Sequence, residues 1–394
     1  MLNNWLANNK NIIIELRHWL HQHPEVGFSE FETSAHLQGL LILAGYEINQ
    51  TPEMKTGFTC EYGSSNGPTL GIRCDMDGLL VKEVSDKYYK SINDGVMHAC
   101  GHDAHMTILT TLALYIMETN LQIDGNIRFI FQPAEEQAPG GAIAMIEGGA
   151  IKGVDHIIGG HVFPKFRCDK IGLRHGPMAA TVEMIEIVLS GPGGHTSRPA
   201  ESVDLILAMS HLILSLEKSI RNNLNKQDSV VLAFGKVGGG HTFNVLPDKI
   251  LLNGTLRYLD VELKDVLHGI FDKTLNDVES ATGAKISWKI PYTSPGVFND
   301  RYVTDILIEA AERSIGVDNI EFMKESSMGG EDFAYYLEYI PGSYYRIGCF
   351  DGFSTDVHTS TFDVNDDCIP TAIKVLEKTI EIYFKKDDEW KIKK

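Results

Sequence analysis

Three short apolar runs, Thr69 to Ile72, Ile127 to Phe131 and Ile157 to Val162, constrain what this chain can fold into. Each is bounded by turn residues and too short for a helix, so each reads as a buried strand. Met106 to Met117, between two of them, has helical apolar spacing, as do Ile12 to Trp19 and Phe31 to Leu43 nearer the N-terminus. His23-Pro24 and Gly27 punctuate the turn between those two helices. Strands alternating with helices imply a largely parallel sheet covered on both faces. The expected fold class is α/β, a mixed, mostly parallel sheet flanked by helices.

The texture changes near residue 178. Met184 to Leu189 alternates as a half-buried strand, and Ala200 to Ile220 has apolar residues three and four apart. Strands at Val230 to Val237 and Ile250 to Tyr258, a helix at Leu263 to Val278 and a strand at Ile286 to Ile290 follow. This β-α-β-β-α-β order is the split βαβ pattern of a ferredoxin-like unit. Helical patterns at Tyr302 to Ser314 and Pro370 to Phe384 then restore the α/β texture. The expected organisation is a catalytic domain in two parts, 1–177 and 292–394, interrupted by an inserted α+β lid at 178–291.

The 394 residues carry a formal net charge of −18. Such a surface repels phosphate backbones, so no nucleic-acid partner is expected. No apolar run is long enough to span a bilayer, so no membrane partner is expected, and the N-terminus does not read as a secretory signal. Six scattered cysteines give no disulfide framework and fit a reduced, cytoplasmic protein. Lys385-Lys386 and the lysines of 391–394 read as a solvated tail.

Side chains of metal-ligand type gather where the apolar runs end. Arg73-Cys74-Asp75-Met76-Asp77-Gly78 follows the first run, where α/β sheets bind their ligands. Taken alone, it could be a solvated surface turn. His98-Ala99-Cys100-Gly101-His102-Asp103-Ala104-His105 crowds three imidazoles and a thiol together. Cys100 and His102 can reach one centre from an extended or turn segment, whereas His105 suits the following helix or a supporting position. Thiolate with imidazole suits zinc, and imidazole also suits other divalent ions. Gln132-Pro133-Ala134-Glu135-Glu136 ends the second run. Along an extended chain its two acids would face opposite ways, one to a metal and one to substrate. His161 ends the third run, and His358 lies in a loop before the last helix. Either would be weak evidence alone.

Together these blocks, with Gly330-Glu331-Asp332-Phe333 and Phe362-Asp363, resemble the amidohydrolase branch of the aminoacylase–carboxypeptidase family of co-catalytic metallopeptidases. Hippurate hydrolases, auxin-conjugate hydrolases and N-acetyldiaminopimelate deacetylases belong to that branch. The resemblance spans the chain from His21-Gln22-His23-Pro24-Glu25 onward. It implies two divalent ions (zinc, manganese or nickel) held by Cys100, His102, Glu136, His161 and His358. It implies Glu135 as general base, and Asp75 or Asp77 as support for the site. His195, in Gly193-Gly194-His195-Thr196, resembles the lid histidine that stabilises the oxyanion, in relatives often from a partner subunit. Asn244 and Arg257 resemble lid residues that hold the substrate carboxylate, and the loop near Gly329 would border the acyl pocket. Cys74, Gly78, Gly160, Phe163 and Ser360 depart from common family residues, but none replaces a ligand.

The activity implied is hydrolysis of the amide of small N-acyl-L-amino acids, N-acetyl, benzoyl or similar, by a hydroxide bridging the two ions. A homodimer through the lid is also implied. Dipeptidase or carboxypeptidase action on the same metals is the enzymatic alternative. A silent metal-binding scaffold would not need Glu135 beside Glu136. A thiol enzyme built on Cys100 lacks a CxxC partner. The tyrosines at 335, 336, 339, 344 and 345 read as packing.

Overall fold

The computed structural model describes residues 1–63, 66–225, 229–350, 352 and 355–385. Of the lysines expected as a solvated tail, Lys385 is the exposed last residue of helix Cys368–Lys385 and pairs with Glu381, and the others lie outside the described residues. Two compact units form, one from Met1–Met178, Phe298–Glu325 and Asp332–Lys394, the other from Ala179–Val297 and Ser326–Glu331.

The first unit holds an eight-stranded sheet. Its strands are β1 (Ile48–Asn49), β2 (Phe58–Tyr62), β3 (Thr69–Asp75), β4 (Asn126–Gln132), β5 (His156–Arg167), β6 (Ile171–Leu173), β7 (Ile320–Phe322) and β8 (Gly342–Phe350). The spatial order is β1-β2-β4-β3-β5-β8-β6-β7. The four central strands, β4, β3, β5 and β8, run parallel. The antiparallel pairs are β1 with β2, β2 with β4, and β6 with β8. Every residue of β3 is buried, as the apolar run requires of a strand covered on both faces.

The two faces of the sheet differ. Ile158, Gly160, Tyr345 and Ile347 line a small cavity with Ile108 and Leu109 of helix His102–Thr119 and Leu376 of helix Cys368–Lys385. Side chains alternate along a strand, so Gly159, His161, Phe163, Tyr344 and Arg346 lie on the opposite face. Phe333 packs there, and a Cβ added to Gly159 would stand 2.8 Å from its ring.

The second unit is a four-stranded antiparallel sheet in the order Val230–Gly239, Lys249–Tyr258, Thr181–Ser190, Lys285–Ser294. Helices Leu205–Asn223 and Leu263–Thr282 supply Leu212, Leu216, Phe271 and Leu275 to its core, against Ile187, Leu189 and Leu252 of the sheet. Taken in chain order, the spatial sequence is second, third, first, fourth strand, the ferredoxin-like arrangement. The first helix starts later than its apolar spacing implies. Pro199–Glu201 forms a 3-10 turn, and the Asp204 carboxylate accepts from Leu207 N–H at 3.0 Å to cap the helix proper.

Candidate metal centre

The first unit brings Cys100, His102, Glu135, Glu136, His161 and His358 to one place. Ligand atoms of Cys100, His102 and His161 lie within 4.8 Å of one another, as do those of Cys100, Glu136 and His358, and those of His102, Glu135 and Glu136. The Cys100 Sγ is 3.1 Å from the His161 Nε2 and 3.2 Å from the His358 Nε2. The His358 Nε2 is also 3.0 Å from a Glu136 oxygen.

Local backbone explains how each side chain arrives. Gly101, at φ 85°, turns the chain sharply before the helix that His102 begins. Cys100 therefore comes from a turn and His102 from the first helical residue. His161 projects from β5, and its Nδ1 faces the carbonyl of Val162 at 2.7 Å, which points Nε2 inward. His358 sits at φ 63°, unusual for a non-glycine residue, and its N–H donates to the Ala99 carbonyl at 2.7 Å. That bond joins the His358 loop to the Cys100 turn.

Glu135 and Glu136 do not lie on an extended strand, as the sequence suggests. The strand stops at Gln132, Ala134 takes φ 49°, and both acids occupy the following turn. Asp77 holds this turn: its two oxygens accept from the N–H groups of Glu135 and Glu136, each at 3.0 Å. The choice the sequence leaves open between Asp75 and Asp77 becomes two separate contacts. Asp77 lies 3.2 Å from the Nδ1 of His102, whereas Asp75 lies 2.7 Å from the Nδ1 of His105. The His105 Nε2 in turn accepts from Val162 N–H at 2.9 Å.

The donor set fits divalent cations. The His102 Nε2 is buried with no hydrogen-bond partner among the described residues, although Asp77 fixes the other side of the ring. Burial opposes charge on His102, but Asp75 and Asp77 outweigh it and push its pKa up to about 10. Burial, and then His105 and Arg346, hold His161 well below the ordinary histidine range. Burial with Glu136 and Glu135 alongside drives the Cys100 thiol well above its usual range, and the Glu136 hydrogen bond raises His358. A buried thiol and two buried imidazoles converging with part-buried carboxylates and the exposed imidazole of His358 are the ligands of zinc-like ions.

The second unit places the other candidates in two groups. His195 and Val245 are register partners in a short antiparallel ribbon, and Thr196 N–H donates to the Asn244 carbonyl at 3.3 Å. The His195 Nδ1 accepts from Ser197 N–H at 3.1 Å. Arg257 donates to the Met328 carbonyl at 2.8 Å, next to Gly329, whose N–H donates to Ser327 Oγ at 3.0 Å.

Two supports join residues that the sequence offers no reason to pair, although Asp332 and Asp363 stand in blocks that carry the resemblance. Asp332 accepts from Arg73 at 2.9 Å, from Gln132 Nε2 at 2.7 Å and from Ala142 N–H at 3.0 Å, bracing the ends of β3 and β4. Arg17 is fully buried and pairs with Asp103, Asp363 and Asp366. It thereby joins the start of the His102 helix to the segment after His358. Both networks depend on partners hundreds of positions apart.

The family model for peptidase family M20/M25/M40 matches residues 71–382, and the chain belongs to that family. It is a metal-dependent amidohydrolase. It is 35% identical over 389 residues to N-acetyl-L-cysteine deacetylase of Bacillus subtilis, covering 98% of this chain and 92% of that protein. It is 33% identical over 374 residues to N-acetyldiaminopimelate deacetylase of Anoxybacillus flavithermus, covering 94% of this chain and 97% of that one. Among solved structures it is similar to a dinuclear metal-binding M20 peptidase of Bacillus subtilis. That match has a TM-score of 0.84 and 31% identity, over 95% of this chain and 98% of the other.

Proposed function

We propose that this chain deacylates small N-acyl-L-amino acids, N-acetyl, benzoyl or similar, with two divalent cations held by Cys100, His102, Glu136, His161 and His358. The convergence of those five side chains beside Glu135 is the observation that carries this reading. Cations bound there would supply an acidified water and a polarised scissile carbonyl. Glu135 takes the proton of the attacking water and delivers it to the departing amine. Asp77 holds both the ring of His102 and the turn that presents Glu135. His195 is assigned as donor to the oxyanion. Arg257, with its planar fork, and Asn244 are assigned to the α-carboxylate, with Gly329 at the acyl group. We further propose a homodimer through the second unit. No helix among the described residues is long and apolar enough to cross a membrane.

Relatives at about one-third identity are named deacetylases, which favours N-acyl amino acids over dipeptides. The test is a panel of N-acyl amino acids and dipeptides, each with zinc, manganese or nickel, following amine release. Cation-dependent release from the N-acyl amino acids is expected. Faster release from dipeptides would favour the peptidase alternative, and no release with any cation would end the hydrolase reading.

A further inference from the structure

Arg346 is only 9% exposed, yet it has no acidic partner among the described residues, and its Nε is buried without a hydrogen bond. Other buried arginines of this unit are paired: Arg17 meets three aspartates, and Arg73 meets Asp75 and Asp332. A buried cation without an anion is costly to maintain. Two aromatic rings flank it: the guanidinium carbon is 5.4 Å from the Tyr344 ring centroid and 5.8 Å from that of Phe163. Rings of this kind attract a guanidinium but satisfy none of its five N–H donors. They leave the donors available.

The position itself is informative. Arg346 of β8 is in parallel register with His161 of β5, so the two project from the same face on neighbouring strands about 4.8 Å apart. On the other side Arg346 is in register with Gly172, where a Cβ would stand 3.1 Å from the arginine's own Cβ. Glycine there keeps the side chain uncrowded. The result is a largely buried guanidinium without an acidic partner among the described residues, on the strand next to a candidate metal ligand. Guanidinium in such a setting recognises carboxylate by paired hydrogen bonds. A chain of net charge −18 repels dianions in general, so a local cation is what would admit one.

We propose that Arg346 receives a second carboxylate of the substrate, distinct from the α-carboxylate, and that the preferred substrates are dianionic N-acyl amino acids. This rests on the hydrolase reading above. The extra carboxylate can belong to the acyl group or to the amino-acid side chain, and matched pairs separate the two. N-succinyl-L-alanine is compared with N-butanoyl-L-alanine, and N-acetyl-L-glutamate with N-acetyl-L-glutamine, using the cation-loaded full chain. In one pair the charged member should exceed its neutral partner in kcat/KM by about tenfold or more. That ratio should collapse in Arg346→Gln, chiefly through KM, and survive in part in Arg346→Lys. Equal use of charged and neutral members, or a ratio unchanged in Arg346→Gln, overturns the assignment. If the loaded wild type turns over none of the four, the hydrolase reading is decided by the wider panel above and not by these pairs. Calorimetric binding of succinate against acetate then decides on Arg346. A succinate preference lost in Arg346→Gln upholds the anion site, and its absence from wild type or persistence in the variant removes it.

Discussion

Asp77 lies 3.2 Å from the Nδ1 of His102, while its two oxygens also accept the N–H groups of Glu135 and Glu136. One carboxylate thus orients a candidate ligand and the turn that carries both a second ligand and the candidate base. Partners of metal-binding histidines typically account for about 10–100-fold in metal affinity. Asp77→Asn should therefore weaken cation binding by about that factor, measured by competition against a chromogenic chelator. An unchanged affinity would mean that the contact to His102 is incidental to the site.

Glu135 and Glu136 are neighbours with different proposed tasks. Glu136 lies 3.0 Å from His358 and is proposed as a cation ligand. Glu135 is proposed to act on protons, so Glu135→Gln should lower turnover by about 10²–10⁴ while cation content, read by elemental analysis, stays the same. Loss of cation in parallel with activity would make Glu135 a ligand instead.

The parts of this site that are legible in the sequence share a physical origin. A strand buried on both faces must be apolar until it reaches the sheet edge, so polar residues that end such runs mark that edge. Asp75 ends β3 and Glu135 lies in the turn just beyond β4, whereas His161 ends the apolar run but sits mid-strand in β5. Strand β8 escapes that rule. Ser343, Tyr344, Tyr345 and Arg346 interrupt any apolar run, although every residue from Gly342 to Cys349 is buried. Its tyrosines read correctly as packing, but not as part of a central strand. Residues 326–331 grouping with the second unit, and the Arg17 network, depend on contacts between distant segments that no local spacing encodes.

Arg17 gives a stability prediction. Its guanidinium reaches Asp103 at 2.9 Å and Asp366 at 3.1 Å, with Asp363 as third partner. Removing the cation leaves Asp103 buried among fewer compensating charges. Breaking a buried pair in this way costs about 3–5 kcal/mol. Arg17→Met should lower the urea midpoint accordingly, whereas a shift within about 0.5 kcal/mol would match only a surface substitution.

Glu30 makes the pH dependence specific. It is buried, one oxygen accepting from Ala134 N–H at 2.8 Å and the other from the Thr56 hydroxyl at 2.6 Å. Burial outweighs these bonds and raises its pKa from 4.5 to about 7. Between those two values the folded chain keeps the proton and the unfolded chain releases it. The unfolded state then binds fewer protons, so the Glu30 contribution is complete below pH 4.5 and is lost as pH rises to about 7. Glutamine at this position can still accept from Ala134 but does not titrate. Compared with Glu30→Gln, the wild type should lose unfolding free energy progressively as pH rises across that window, measured by urea titration at successive pH values. Two parallel stability curves would mean that Glu30 is charged inside the folded protein throughout. The left-handed Ala134, at φ 49°, would then be held against an ionised carboxylate rather than a neutral acid.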